Sequence, residues 1–365
     1  MGLFIILFFA LIHVLYWFFY FKRVSLYKED VGVISHDFPP VSVVICFKSL
    51  DKYVEQTITS IVQQNYAVFE VILVNDFATE EDFKRVENIL KKLNFPFIKI
   101  IHADKDLPGK KHALLQGVMA AKHDYILLTD IDCLASSQNW ILKMMTVFLK
   151  ENRDVVLGYG PMTKKNNLVS WFSGFETVMT ALQYFGYHLA GKTYMGVGRN
   201  WAVRREVFLT YFDKAKGKKM ASGDDDLLLQ SMVGHTSIGI CLDKDSFMYS
   251  TPKDTLKTFL RQKTRHVSTS VFYPMVTAVK LFIFSFSISG YYLLAFLLPI
   301  IGLLSWQIVL SISIIKWGIQ GYLQTSAFSK LQAQNYTHYY PIAETLLAIY
   351  YPILALYSVF TKDKW

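Results

Sequence analysis

The chain has 365 residues and a formal net charge of +9, and 52% of its residues are hydrophobic. A mean hydropathy of +0.27 is too apolar for an ordinary soluble enzyme. Its cysteines, Cys46, Cys133 and Cys241, are too few and too scattered for a disulfide framework or a zinc site. Together with the apolar segments, the basic excess favours lipid headgroups and a phosphorylated substrate over nucleic acid as partners.

The apolar residues are concentrated at the two ends of the chain. Residues 3–21 and 281–315 contain no Asp, Glu, Lys or Arg, and residues 342–361 contain only Glu344. About 20 apolar residues cross a bilayer as a helix, so these segments predict membrane-spanning helices. Pro299 and Gly302 lie near the middle of the second segment and predict a helical hairpin, which leaves two or three C-terminal spans.

Basic residues follow the first apolar segment instead of preceding it, at Lys22, Arg23 and Lys28. This order is the reverse of that in a cleaved signal peptide. By the positive-inside rule, it predicts an external N-terminus and a cytoplasmic central region. Three C-terminal spans would place the basic C-terminal tail, which contains Lys362 and Lys364, on the external side, against that rule. Two spans would place it in the cytoplasm and satisfy the rule.

The central region alternates strand and helix patterns in chain order. The strand patterns lie at Val41–Phe47, 69–74, 97–101 and 125–129, and the helix patterns at 54–64, Glu80–Leu93 and 111–122. This alternation predicts an α/β domain with a mostly parallel sheet flanked by helices. No Gly-x-Gly-x-x-Gly follows the first strand, so a nicotinamide enzyme is not expected.

Two aspartates one residue apart, Asp130 and Asp132, end the apolar strand that starts at Tyr125. In an open α/β sheet the ligand crevice lies at the carboxyl ends of the strands. Residues i and i+2 of an extended segment point to the same side. The pair therefore predicts a hard-oxygen site for a divalent cation, which can in turn hold a diphosphate.

Polar residues follow two other predicted elements. Asp76 ends the second strand, where it either hydrogen-bonds a base or ribose or caps the helix after Thr79. Gly109, Lys110 and Lys111 supply a tight turn and two ammonium groups at a helix start. Lys110 is either a phosphate contact or a solvated side chain.

Six motifs in order resemble the membrane-integrated glycosyltransferases of family two, which include cellulose, hyaluronan and poly-N-acetylglucosamine synthases and ceramide glucosyltransferases. The resemblance covers roughly residues 41–266 and implies a GT-A nucleotide-sugar domain between membrane helices. The motifs are Val41–Cys46, Leu73-Val74-Asn75-Asp76, Gly109-Lys110-Lys111-His112-Ala113-Leu114, Thr129-Asp130-Ile131-Asp132, Gly223-Asp224-Asp225-Asp226-Leu227 and Gln262–His266.

The resemblance implies a role for each donor-side residue. Asp76 would contact the uracil or ribose of a UDP-sugar. Asp130 and Asp132 would hold the diphosphate with Mg²⁺ or Mn²⁺, Asp132 being the direct ligand. Two further residues, Gln262 and Arg265, would face the donor diphosphate.

The acidic cluster would supply the general base. Alignment on Asp226 and Leu227 assigns this role to Asp224, with Gly223 where the family has a glutamate, and a shift of one residue assigns it to Asp225. Three consecutive aspartates also suit a helix start without any catalytic role.

The acceptor side departs from the family pattern. His266 stands where the family motif has tryptophan, which argues against processive polymer synthesis. The segment Met195–Arg204 resembles a small-residue acceptor loop in which Asn200 and Trp201 would line the acceptor site. A strand and turn with a core tryptophan is the equal alternative.

We therefore expect a membrane-bound, metal-dependent, inverting glycosyltransferase that moves a sugar from a UDP-sugar to a lipid or membrane-associated glycan. The alternatives are a processive polysaccharide synthase, a polyprenyl-phosphate glycosyltransferase and a non-enzymatic membrane scaffold. The expected location is a bacterial inner membrane, with the catalytic domain in the cytoplasm. The expected segments are an N-terminal membrane helix (1–21), a linker (22–40), the GT-A domain (41–250), interfacial helices (251–280) and a C-terminal membrane region (281–365).

Overall fold

The computed structural model describes residues 1–29, 38–104, 109–215 and 225–360. These residues form two compact units. An α/β unit comprises the described parts of Lys28–Thr163 and Met195–Thr251. A helical unit comprises those of Met1–Tyr27, Lys164–Tyr194 and Pro252–Trp365.

The elements follow one another in chain order. The helices are α1 (Gly2–Tyr16), a π-helical turn (Trp17–Phe21), α2 (Lys22–Leu26), α3 (Val54–Val62), α4 (Glu80–Leu93), α5 (Lys110–Ala120), α6 (Trp140–Lys150), α7 (Leu168–Leu189), α8 (Arg205–Phe212), α9 (Asp226–Met232), α10 (Leu256–Val267), α11 (Met275–Ile300), α12 (Trp306–Lys330) and α13 (Tyr340–Phe360). The strands are β1 (Val41–Phe47), β2 (Phe69–Asn75), β3 (Ile98–His102), β4 (Tyr125–Asp130), β5 (Cys133–Ala135), β6 (Val155–Gly158), β7 (Trp201–Arg204), β8 (Ile238–Cys241) and β9 (Met248–Ser250). Short 3₁₀ turns cover Lys244–Ser246, Ser268–Phe272 and Gln334–Tyr336.

The α/β unit is built on one sheet of seven described strands in the order β3-β2-β1-β4-β7-β6-β8. Strand β7 runs antiparallel to both of its neighbours, and the other pairings are parallel. Strands β5 and β9 form a separate antiparallel pair. The predicted α/β fold with a mostly parallel, helix-flanked sheet is confirmed.

Both faces of the sheet are covered, which explains why β1 is buried at every position. Val43 and Ile45 belong to the apolar core that also contains residues of α3, α4 and α6. On the other face, α5 lies close to the sheet at Gly117, where an added Cβ would be 2.4 Å from Val44 and 2.8 Å from Val74. A larger residue at 117 would therefore push α5 away from the sheet.

Helix α4 has the bounds that the sequence predicts, because local signals set both ends. The Thr79 hydroxyl accepts a hydrogen bond from the Asp82 N–H, and acidic residues occupy the first turn, where they suit the helix dipole. At the other end Asn94 takes the left-handed conformation that terminates helices.

The helical unit contains the apolar segments. Among the described residues, three helices are long and apolar enough to cross a membrane: Gly2–Leu26, Met275–Ile300 and Tyr340–Phe360. They indicate membrane association. The chain reverses after α11, where Gly302 adopts a φ of +72°. Helix α12 continues to Lys330, well beyond the apolar run, because polar side chains on it are buried within the unit.

Helix α7 belongs to the helical unit, although the sequence interpretation included it in a GT-A domain of residues 41–250. Its residues are buried on almost every side. An added Cβ at Gly186 would lie 2.8 Å from the Tyr20 carbonyl oxygen, and one at Gly174 would lie 2.2 Å from the Tyr336 hydroxyl. These two glycines let α7 approach the N-terminal helix and the segment before α13 closely.

The carboxylate of Glu344 on α13 is fully buried and is the centre of a polar cluster in the helical unit. Lys316 Nζ donates to its Oε2 at 2.6 Å, and Gln320 Nε2 donates to its Oε1 at 3.0 Å. Further donors are Tyr292, Trp317 and Tyr340, and His13 Nδ1 lies 3.1 Å from Oε1. Protein groups therefore surround both carboxylate oxygens, and α1, α11, α12 and α13 are joined through one side chain.

A buried carboxylate also stabilises the α/β unit, at Glu70 on β2. Burial by itself would raise its pKa. Hydrogen bonds from the Lys122 N–H (2.7 Å) and the Ser42 hydroxyl (2.7 Å), with the Lys99 ammonium at 3.3 Å, outweigh burial and lower the pKa.

We expect Glu70→Gln to destabilise the protein by about 1–3 kcal/mol at neutral pH. Because the folded pKa is lowered, this stabilisation is present above the unfolded pKa and is lost as pH falls through the folded pKa. Thermal unfolding in detergent at pH 7 and at pH 4 should show a larger difference between variant and wild type at pH 7. Glu55→Gln, which alters an exposed ion pair with Lys92, is the matched control. An equal loss at both pH values would contradict this account.

Candidate active site

The carboxyl ends of the parallel strands meet at one edge of the sheet and bring several predicted site residues together. Phe47 pairs with Asn75, Asn75 with His102, and Cys46 with Asp130. Asp76 follows β2 and is buried, and its N–H donates to the Phe47 carbonyl at 2.8 Å. This edge is where an α/β sheet binds its ligand.

The acidic pair lies at the end of the central strand β4. Ligand atoms of Asp130, Asp132 and Cys133 all lie within 4.8 Å of one another. Both carboxylates are partly exposed, whereas Cys133 is buried. Burial raises the pKa of the Cys133 thiol well above its ordinary value, and the two carboxylates add to the shift. The accessible donors are therefore carboxylate oxygens, a set that suits Mg²⁺ or Mn²⁺ better than a softer metal.

Positive charge faces this pair from the start of α5. Lys110, its first residue, forms a 2.8 Å ion pair with Asp130. Gly109 before it has a φ of +113°, which favours glycine, and its N–H donates to Asp76 Oδ1 at 3.3 Å. Asp76 thus holds the turn that starts α5, and the helix cap that was its alternative role is supplied by Thr79. An ammonium group and a helix N-terminus together favour a phosphate group.

In the described part of the acidic cluster, the carboxylates of Asp225 and Asp226 accept hydrogen bonds from backbone N–H groups. Asp225 caps α9: its Oδ1 accepts from the Asp226 N–H at 2.8 Å, and its Oδ2 from the Gly198 N–H at 2.7 Å. Asp226 is buried, and its Oδ1 accepts from the Leu227 N–H at 2.8 Å. Asp225 therefore links α9 to the glycine loop that precedes β7. Asp224, to which the sequence assigns the base, and Gly223 lie outside the described residues.

Two residues predicted for the acceptor side, Asn200 and Trp201, are in the core instead. Asn200 is fully buried: its amide donates to the carbonyls of Tyr159 (2.7 Å) and Ser246 (2.8 Å) and accepts from Trp140 Nε1 (2.9 Å). Trp201 begins β7 and is 2% exposed. The alternative of a strand with a core tryptophan is correct, because pairing of β7 with β4 and β6 buries the segment.

Arg199 is a cation close to the acidic pair, and it is not among the site residues predicted from the sequence. One of its NH₂ groups donates to the Gly160 carbonyl at 2.6 Å, and its charge lowers the pKa of the neighbouring Cys133 thiol against the dominant effect of burial. An added Cβ at Gly160 would lie 2.1 Å from its Nε, so a larger residue there would displace the Arg199 side chain. The sequence signal that could have identified Arg199 is its position directly after the two glycines of the loop, Gly196 and Gly198.

Three predicted residues, Gln262, Arg265 and His266, lie on α10 in the helical unit. Gln262 is partly exposed, and Arg265 and His266 are exposed. Phe259, Leu260 and Thr264 form the buried face of this helix. A helix with one buried face is therefore present within the segment 251–280, for which the sequence predicts interfacial helices.

Residues 42–212 match the model of the family described as Glycosyl transferase family 2. An uncharacterized glycosyltransferase of Haemophilus influenzae is 32% identical over 120 residues, 33% of this chain and 36% of the relative. A poly-beta-1,6-N-acetyl-D-glucosamine synthase of Staphylococcus aureus is 24% identical over 138 residues, 35% of this chain and 32% of the relative. The chain thus spans about a third of the length of these curated relatives.

A solved structure extends the likeness to most of the fold. A mannosyltransferase of Pyrobaculum calidifontis, in complex with GDP-Man and Mn²⁺, superposes with a TM-score of 0.62 at 16% identity. The match covers 91% of this chain and 99% of that one. At this identity the likeness shows the fold alone, and it includes the helical parts as well as the sheet.

Proposed function

Because residues 42–212 match the Glycosyl transferase family 2 model and the fold is of the GT-A type, we propose that the chain transfers a sugar from a UDP-sugar to a lipid or membrane-associated glycan. The observation that carries this proposal is the acidic pair at the end of β4, with Lys110 2.8 Å from Asp130. Carboxylates beside a cation and a helix N-terminus provide both a metal site and a phosphate site.

The donor is held by its diphosphate in this proposal. Asp132 and Asp130 would bind Mg²⁺ or Mn²⁺, which when bound neutralises charge developing on the departing nucleoside diphosphate. Asp76 would hydrogen-bond the uracil or ribose. Lys110, which forms an ion pair with Asp130, would bind a phosphate oxygen of the donor. Gln262 and Arg265 would bind the same diphosphate, consistent with their partly exposed and exposed positions on α10.

Transfer would be a single displacement. The acceptor hydroxyl oxygen forms a bond to the anomeric carbon while the bond from that carbon to the diphosphate breaks, and a carboxylate takes the hydroxyl proton. The products are the glycosylated acceptor with inverted anomeric configuration and UDP. We assign the base to Asp224, because both oxygens of Asp225 already accept backbone N–H groups.

Membrane helices in the same chain favour a membrane-associated acceptor. Because basic residues follow α1, the positive-inside rule leads us to propose that the catalytic domain lies in the cytoplasm at a bacterial inner membrane. Similarity to the poly-N-acetylglucosamine synthases favours a second candidate, a processive polysaccharide synthase. His266 in the tryptophan position of the motif argues against this second function.

A screen for nucleotide release tests the proposal. Membranes containing the protein are supplied with UDP-glucose, UDP-galactose, UDP-N-acetylglucosamine or GDP-mannose, and released nucleoside diphosphate is measured with Mn²⁺ or Mg²⁺. We expect metal-dependent UDP release and a labelled product that partitions into organic solvent. Products that lengthen with time on one primer would favour the synthase. Absence of release from every donor would refute the enzymatic proposal.

The asparagine variants of the acidic cluster separate the base from its support. We expect Asp224→Asn to lower turnover about 10²- to 10⁴-fold, because it removes the proton acceptor, with an unchanged thermal-unfolding midpoint. Asp225→Asn should lower the midpoint itself, since an amide NH₂ cannot accept from both Gly198 and Asp226. Turnover and thermal unfolding of both variants check this. If Asp225→Asn is inactive but as stable as the wild type, the general base is Asp225.

A further inference from the structure

Lys263 lies inside the Gln262-x-x-Arg265 motif but on a different face of α10. At 3.6 residues per turn it falls among the buried residues of the helix, near Phe259. Arg265 falls on the opposite side and is exposed. The helix therefore presents the motif on one face and is attached to the rest of the helical unit by the other.

An ion pair lies on the buried face. Lys263 Nζ donates to Glu176 Oε2 on α7, and the two side chains are 15% and 10% exposed. Thr180 donates to the other carboxylate oxygen at 3.4 Å. The Lys263 ammonium lies 5.7 Å from the centre of the Phe259 ring. Phe259 in turn contacts Phe172 of α7 and Tyr350 of α13.

The Lys263–Glu176 ion pair restricts the rotation of α10 more than the apolar contacts around it do. Aromatic and aliphatic contacts tolerate small rotations and shifts of a helix, since apolar attraction has no preferred direction. An ion pair with little solvent around it holds its two atoms at a fixed separation, because separating them leaves charges buried without partners.

We propose that Glu176 is the positioning residue for the Gln262 and Arg265 motif: through Lys263 it fixes the rotation of α10 and so the orientation of both side chains. This inference rests on the proposed donor-binding role of the motif. Displacement of a binding group by about 1 Å can cost about a hundredfold in rate, so the rotation of α10 matters for function.

Two paired substitutions test the role without leaving a lone buried charge. Glu176→Leu with Lys263→Met replaces the pair by apolar groups, which is often neutral for stability. Glu176→Lys with Lys263→Glu exchanges the charges. We expect the apolar pair to unfold at the wild-type temperature but to bind UDP in Mn²⁺ about tenfold more weakly by calorimetry. The exchanged pair should recover most of that affinity.

Coupling to Arg265 distinguishes positioning from a merely structural role. If Glu176 acts through Arg265, then Arg265→Ala should weaken UDP binding strongly in the wild type and little in the apolar-pair background. Lys165→Met is the matched control, since it removes the more exposed Lys165–Asp254 pair of the same unit and should leave UDP affinity unchanged. Wild-type UDP affinity in the folded apolar pair would overturn the proposal.

A nitroxide at Arg261→Cys, on the exposed face of α10, gives a readout that needs no donor. The native cysteines are buried and so protected from labelling. We expect a more mobile spectrum in the apolar pair than in the wild type or the exchanged pair. If the apolar pair shows this more mobile spectrum but the wild type binds no UDP, the donor-binding function is refuted and the anchoring role of Glu176 is retained. An unchanged spectrum would refute the anchoring.

Discussion

Asp132→Ala should abolish sugar transfer, by about a thousandfold or more, while leaving the protein folded in its membrane. A bound metal supplies several kcal/mol of transition-state stabilisation, and each 1.4 kcal/mol is about tenfold in rate. Asp132 is partly exposed at the end of β4, so its loss creates no cavity. Nucleotide release and thermal unfolding of the purified variant check both halves of the expectation.

Two controls accompany the Asp132 experiment. Asp124→Ala removes an exposed carboxylate at the opposite end of the same strand and should leave turnover unchanged. EDTA should inactivate the wild type, and added Mn²⁺ or Mg²⁺ should restore it. Full activity of the wild type in chelator, or of Asp132→Ala in Mn²⁺, would refute the metal site.

Lys316→Met should destabilise the helical unit by about 3–5 kcal/mol, because it leaves the Glu344 carboxylate buried without its cation. Lys316 and Glu344 are each almost completely buried, with 2.6 Å between Nζ and Oε2. Thermal unfolding in detergent and the fraction of monodisperse protein after heating measure the loss.

The double variant Lys316→Met with Glu344→Gln separates charge from hydrogen bonding. Glutamine keeps an oxygen that Tyr292 or Tyr340 can use and carries no charge, so most of the stability should return. Lys257→Met changes an exposed lysine of the same unit and serves as the control for substitution itself. If the double variant is no more stable than Lys316→Met, the ion pair is not what joins these helices.

Local signals in the sequence determined much of the catalytic half of the fold. The β-branched run at Val41–Phe47 and the capped, amphipathic Glu80–Leu93 have the bounds that their patterns predict, because propensity, burial and caps agree there. The position of Asp130 and Asp132 also followed from sequence, since parallel strands all end at one edge of a sheet. Apolar length alone predicted the membrane helices, because a bilayer sets a minimum span.

The tertiary structure decided what depends on distant partners. Asn200 and Trp201 resembled an acceptor loop, and only the pairing of β7 between β4 and β6 shows them to be core residues. Glu176 is not singled out by any pattern in the sequence, and only the packing of α7 against α10 places it beside Lys263. Glu344 and His13 lie at opposite ends of the sequence yet only 3.1 Å apart. Local patterns report the burial of one face of an element, but they carry no information about which other element supplies the partner.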